Sequence, residues 1–117
     1  MYRVIYYVSR RGENYAGDFI RGLQRKAGEK VAEQIGYLTI AGPLAKPQYV
    51  SYLCDRIFEL RVTFGHLEPR VLYFFDGHDI VLTHGFLKKT RAVPSREIER
   101  AKRIRADYLT RKTEEGI

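Results

Sequence analysis

Arg56-Ile57-Phe58-Glu59-Leu60-Arg61-Val62-Thr63-Phe64 alternates apolar and polar side chains along its length. Side chains of a strand point to opposite faces in turn. Phe58, Leu60, Val62 and Phe64 therefore make one wholly apolar face, which is expected to lie against helices. Ile57, Glu59, Arg61 and Thr63 take the other face, which is expected to stand open. Two further strands follow, Arg70 to Phe75 and Ile80 to Leu87. The segments between the three strands, 65–69 and Asp76-Gly77-His78-Asp79, are short and turn-like. Short turns between strands imply an antiparallel meander. Each strand carries or ends in a cation: Arg61, then Arg70, then the Lys88-Lys89 pair.

Upstream, Tyr2 to Val8 is rich in β-branched and aromatic residues and reads as a first strand. Asn14 is placed to cap a helix running to about Ala27, with Phe19, Ile20 and Leu23 as its apolar stripe and Gly28 as its stop. A second helix is expected from Glu29 to about Ile40, with Val31, Ile35 and Leu38 on one face, ended by Ala41-Gly42-Pro43. Downstream, Pro94 and Ser95 introduce a C-terminal helix. The order is βααβββα. That is an α+β domain, residues 1–117, with the helices on one face of a small, mostly antiparallel sheet.

The chain has 117 residues, 21 Lys and Arg against 14 Asp and Glu, and a formal net charge of +7. From residue 84 onward ten basic residues face five acids, so most of the excess lies at this end. A basic surface attracts phosphate-rich partners. The basic C-terminal helix extends the cationic sheet end into one footprint for a nucleic-acid backbone, with Arg91, Arg96, Arg100 and Arg103 as its contacts. Among the aromatics, Tyr73, between the cationic strand ends, is the one best placed to stack on a base; the alternative is a core tyrosine with an exposed hydroxyl.

Arg61 and Arg70 on one open face repel unless an anion lies between them, and the guanidinium fork suits phosphate. The alternative is a solvated Glu59–Arg61 surface pair of little energetic weight. His84 is either a satisfied strand histidine or a proton-transfer group. The three histidines match no metal-ligand spacing. The single cysteine, Cys54, excludes an internal disulfide, suits a reducing compartment, and reads as a small buried hydrophobe. No apolar run approaches a membrane span, and the first residues read as a strand, not a signal peptide.

Phe58-Glu59-Leu60-Arg61, Arg70-Val71-Leu72-Tyr73-Phe74 and the run His84-Gly85-Phe86-Leu87-Lys88-Lys89-Thr90, with Pro94, Glu97-Ile98 and Ala101 beyond, resemble the RelE/HigB superfamily of type II toxins, nearest the phage-derived HigB-like branch. The resemblance runs from Arg3 to about Tyr108. It implies the RelE-like fold and a small cytoplasmic toxin that cuts mRNA, usually on the ribosome. The implied antitoxin partner commonly carries a helix-turn-helix domain, and the pair is expected as a heterotetramer. The implied chemistry needs no cofactor or metal: the RNA 2′-hydroxyl attacks its neighbouring phosphate. Arg61, Arg70 and Lys88/Lys89 correspond to the family's cationic active-site residues. Some members place lysines where this chain has Ile57 and Glu59, which leaves Glu59, His84 or the ribosome to serve the base. A ParE-like gyrase inhibitor of the same fold, or a non-catalytic RNA-binding module, are the competing readings.

Overall fold

The computed structural model describes residues 1–116. Five strands form one mixed sheet: β1 (Arg3–Tyr6), β2 (Val50–Cys54), β3 (Ile57–Arg61), β4 (Pro69–Asp76) and β5 (Asp79–Leu87), in the spatial order β1-β5-β4-β3-β2. β2 to β5 pair antiparallel, and β1 lies parallel to β5. The helices are α1 (Tyr15–Gly22), α2 (Arg25–Ala41) and α3 (Ser95–Glu114). The domain is α+β with a helical hairpin on one face.

The apolar face expected for 58–64 holds at Phe58, Leu60 and Val62, but β3 ends at Arg61 and Phe64 lies beyond it, bridged to Leu67. Leu60 and Val62 join Val71, Tyr73, Ile80 and Leu82 in a core with Ala16 of α1 and Val31, Ile35 and Leu38 of α2. The opposite face is not open. There α3 lays Ala101 and Ile104 on Ile57, Leu72, Phe74 and Val81. The helices thus cover both faces, which corrects the one-sided arrangement. A basic helix carrying an apolar stripe goes wherever sheet surface is still bare, and the hairpin had occupied the other side.

β2 was not expected from the sequence. Its link to β3 is a two-residue turn, Asp55-Arg56, with both residues at positive φ (49° and 70°). Such turns normally carry Gly or Asn, so no glycine marks this one. The Tyr52 hydroxyl accepts the Arg56 backbone N–H at 3.1 Å. Cys54 is half-buried at the end of this edge strand.

The first helix ends at Gly22, not near Ala27, because Leu23 is extended. Gly28 lies inside α2 and stops nothing. A Cβ there would meet the Ile20 carbonyl at 3.1 Å, so its role is close approach of the two helices. Asn14 caps α1 as expected, accepting the Gly17 N–H at 2.9 Å. No side chain caps α3, so Ser95 does not serve there.

β4 and β5 fall out of step between Leu72 and Tyr73: Leu72 pairs with His84, but Tyr73 with Leu82. Thr83 is the extra residue. A bulge reverses the phase of everything beyond it. Leu82 faces the hairpin, and so does Gly85, where Phe19 of α1 sits. His84 and Phe86 are turned to the α3 side. Among the described residues no helix is long and apolar enough to cross a membrane.

Candidate functional site

The register brings the expected cations to one corner of the sheet. Arg61, the last residue of β3, lies opposite Arg70. Arg70 lies opposite Phe86 on β5, two residues before Lys88. The Lys88 N–H donates to the Glu68 carbonyl at 3.0 Å, which ties the lysine segment to the start of β4.

The side chains at this corner have different fates. Arg70 is only 2% exposed and Glu59 4%. Arg70 Nε lies 3.0 Å from Glu59 Oε2. The approach is oblique and makes no directed hydrogen bond at either atom. Arg70 Nη2 donates to Glu68 Oε1 at 2.9 Å, and Nη1 to the Val62 and Pro69 carbonyls at 3.2 Å each. The Ser51 hydroxyl donates to Glu59 Oε1 at 2.7 Å. The expectation of Glu59 and Arg70 on a solvated face is thereby corrected: they form a buried ion pair under the α3 side. Two carboxylates already balance Arg70, so no anion is needed between it and Arg61.

Arg61 is exposed and makes no ion pair among the described residues. Its Nη1 reaches the Pro47 carbonyl at 3.4 Å. The expected Glu59–Arg61 pair is replaced by Glu59–Arg70. Lys88 is half-buried, Lys89 and Arg91 are exposed, and the Arg96 side chain is 81% exposed. Arg103 is exposed, and Arg100 lies over the Tyr15 ring at 4.6 Å.

His84 is fully buried. Its Nε2 lies 3.0 Å from Glu97 Oε1 of α3 and its Nδ1 3.1 Å from Thr83 Oγ1. Burial, and secondarily the charge of Arg100, depress its pKa to about 4 against the opposing pull of Glu97. The ring is therefore neutral, with Nε2–H donating to Glu97; the single Thr83 hydroxyl proton serves either Nδ1 or the Leu72 carbonyl. This is the satisfied strand histidine, linking β5 to α3. Tyr73 is 1% exposed, with Phe58 stacked on it at 5.5 Å and Phe75 edge-on at 5.8 Å. No base can stack on it. It shares a face with Val71, not Arg70, and alternation along β4 already carried that signal.

A cleft of about 510 Å³, which the sequence did not reveal, opens beside Arg61. It is lined by Lys30, Glu33, Gln34 and Tyr37 of α2, by Lys46, Gln48 and Tyr49 ahead of β2, and by Arg61 and Thr63. Its residues come from segments up to 33 positions apart, so no local pattern in the sequence marks it.

A five-stranded α+β domain with a cationic corner and a basic helix on its second face defines a class of small basic proteins. Residues 18–106 match the family model described as phage derived protein Gp49-like (DUF891), and the chain belongs to that family. The Gp49-like family is a RelE/HigB-like toxin family, associated with toxin–antitoxin systems. No curated protein matches the chain significantly.

Proposed function

We infer that this protein is the toxin of a type II toxin–antitoxin pair and acts as a metal-independent endoribonuclease on mRNA engaged with the ribosome in the cytoplasm. Family membership supports the toxin class. The observation that carries the nuclease reading is the corner itself: Arg61 exposed and without an ion pair among the described residues, with Lys88 and Lys89 past the end of β5, one strand beyond β4 at the same corner.

In the reaction the 2′-oxygen forms a bond to its adjacent phosphorus and the P–O5′ bond breaks. The products are a cyclic phosphate and a free 5′-hydroxyl. Arg61 and one of the lysines carry the charge that builds on the phosphoryl oxygens. The other lysine supplies the proton to the leaving 5′-oxygen. Glu59 and Arg70 act as a frame that fixes β3 against β4, and His84 anchors α3. Neither reaches the substrate. The 2′-hydroxyl proton then leaves through the ribosome or solvent, since Glu59 and His84 are both enclosed. Arg91, Arg96, Arg100 and Arg103 extend the backbone contact along α3. The antitoxin, with its helix-turn-helix domain, binds as the neutralising partner.

The test is growth arrest together with 5′-end mapping of mRNA for Arg61→Ala and Lys88→Ala/Lys89→Ala. Both variants are expected to lose arrest and the new 5′ ends. Full toxicity with intact mRNA would sink the nuclease reading in favour of a ParE-like block of gyrase. Tight RNA binding without new ends would leave a binding module.

A further inference from the structure

We propose that the cleft between α2, the 46–49 turn and the end of β3 is a subsite for one nucleotide of single-stranded RNA. Its phosphate is held by Lys30, Lys46 and Arg61, and its base lies against Tyr49. This deepens the RNA-cleavage reading and rests on it for the substrate class.

The cleft has an unbalanced charge. Three cations line it against one carboxylate, Glu33. Lys30 Nζ donates to the Thr63 carbonyl at 2.8 Å. Arg61 reaches only the Pro47 carbonyl. Among the described residues none of the three cations makes an ion pair. The other large cleft, about 450 Å³ between β1 and α3, is the contrast. There Arg3, Arg111 and Lys112 are each matched by an aspartate: Asp79, Asp107 and Asp76. Carboxylates fill the role of an anion there. In the first cleft that role is open.

The cleft also carries the parts that distinguish a nucleotide from a bare anion. Tyr37 and Tyr49 meet edge-to-face at 5.1 Å. The Tyr37 hydroxyl accepts the Lys46 N–H at 2.9 Å, so Tyr37 is fixed and Tyr49 is the ring left to take a base. The side chain of Gln48, with its amide donor and acceptor, stands beside them for a base edge. The walls are held in place. The Arg61 N–H donates to the Tyr49 carbonyl at 2.7 Å, and the amide of Gln34, a buried residue, donates to the Arg61 carbonyl at 3.1 Å. The volume falls within the roughly 300–1,000 Å³ of small-molecule sites. Arg61 belongs to both the cleft and the cationic corner, so a strand of RNA in the cleft leads directly to Lys88 and Lys89.

The experiment titrates the whole chain into a short, fluorescently labelled RNA carrying 2′-O-methyl groups throughout. Such a strand binds but cannot be cleaved by its own 2′-oxygen. Tyr49→Ala is expected to weaken binding about 5- to 100-fold, the range for loss of one stacked base, while Tyr49→Phe stays within about twofold. Lys30→Ala/Lys46→Ala is expected to weaken binding and to lower the slope of log affinity against log salt by up to about 0.7, the value for the one phosphate contact they share on a single strand. Thermal melts check that the variants are folded. Should Tyr49→Ala fail to fold, the lysine pair carries the test. If the wild type cleaves mRNA while Tyr49→Ala and the double lysine variant bind and cleave like it, the subsite is overturned and the nuclease reading stands. If Tyr49→Phe binds as weakly as Tyr49→Ala, stacking is overturned. If the wild type neither binds the strand nor cleaves mRNA, both proposals fall.

Discussion

Replacing Arg70 by alanine separates a framework role from a catalytic one. The guanidinium lies beside Glu59 and also serves Glu68 and two backbone carbonyls. Alanine leaves the Glu59 carboxylate, 4% exposed, with the Ser51 hydroxyl as its remaining hydrogen bond. Removing one partner of a buried ion pair costs about 3–5 kcal/mol, mostly from the stranded charge. Glu68 is half-exposed and contributes little to that sum. At about 3–6 °C per kcal/mol for a chain of this size, the melting midpoint is expected to fall by about 10–30 °C. The cost belongs to the uncompensated carboxylate, so Glu59→Gln in the Arg70→Ala background should recover part of the loss. Glu59→Leu/Arg70→Met should recover most of it, since well-packed apolar pairs replace buried ion pairs at small net cost. Circular-dichroism melts of the wild type and the three variants, run beside growth-arrest assays, measure both effects. The reasoning is refuted if Arg70→Ala melts within about 2 °C of the wild type yet abolishes arrest, because Arg70 would then act on the substrate.

Three further outcomes follow from packing and protonation. His84 titrates near 4 in the fold and near 6.5 when unfolded. The unfolded chain therefore binds more protons between those values, so the stabilisation is complete above about pH 6.5 and is lost as the pH falls toward 4, by up to about 3 kcal/mol. Denaturation midpoints of wild type and His84→Gln across that window should converge on acidification, and parallel curves would contradict it. A Cβ at Gly85 would stand 2.2 Å from Phe19 Cδ2, so Gly85→Ala should cost about 1–3 kcal/mol; Phe19→Leu should restore part of it, and a thermal shift too small to measure would refute the contact. Thr83→Val strips the hydroxyl that serves His84 Nδ1 or the Leu72 carbonyl, and a loss of about 1–2 kcal/mol in urea unfolding is expected.

Alternation along one strand was enough to find the core. Leu60 of β3 and Val62 just beyond it pack on the hairpin as their spacing required. Alternation could not say what covers the other face, because the placement of α3 depends on which surface the remaining elements leave bare. The bulge at Thr83 is also silent in sequence, yet it turns His84 from the hairpin side to Glu97. β2 went unread for a local reason: its turn uses Asp55-Arg56 at positive φ, without a glycine. Gly28 was misread in the opposite sense, since a glycine in a helical pattern marks close approach as readily as an end.

Arg61 and Arg70 show why residue type alone does not identify a binding cation. They are register partners with the same side chain. Arg70 begins its strand with Glu68 two residues behind it and Glu59 across the ladder, and both neighbours neutralise it. Arg61 ends its strand, makes no ion pair among the described residues, and turns toward the cleft edge at Pro47. The net charge of +7 therefore overstates what any face can offer an anion, because cross-strand carboxylates withdraw some cations from it. Among the described residues, cations left without an ion pair include Arg61, Lys88, Lys89 and Arg91 at the rim, Lys30 and Lys46 at the cleft, and Arg100 and Arg103 on α3. A polyanion would thus follow the rim from Arg61 and continue along α3, without reaching the buried Arg70. On that path Arg61→Ala should lower the salt dependence of RNA binding, whereas Arg70→Ala, in any fraction that stays folded, should leave the slope unchanged.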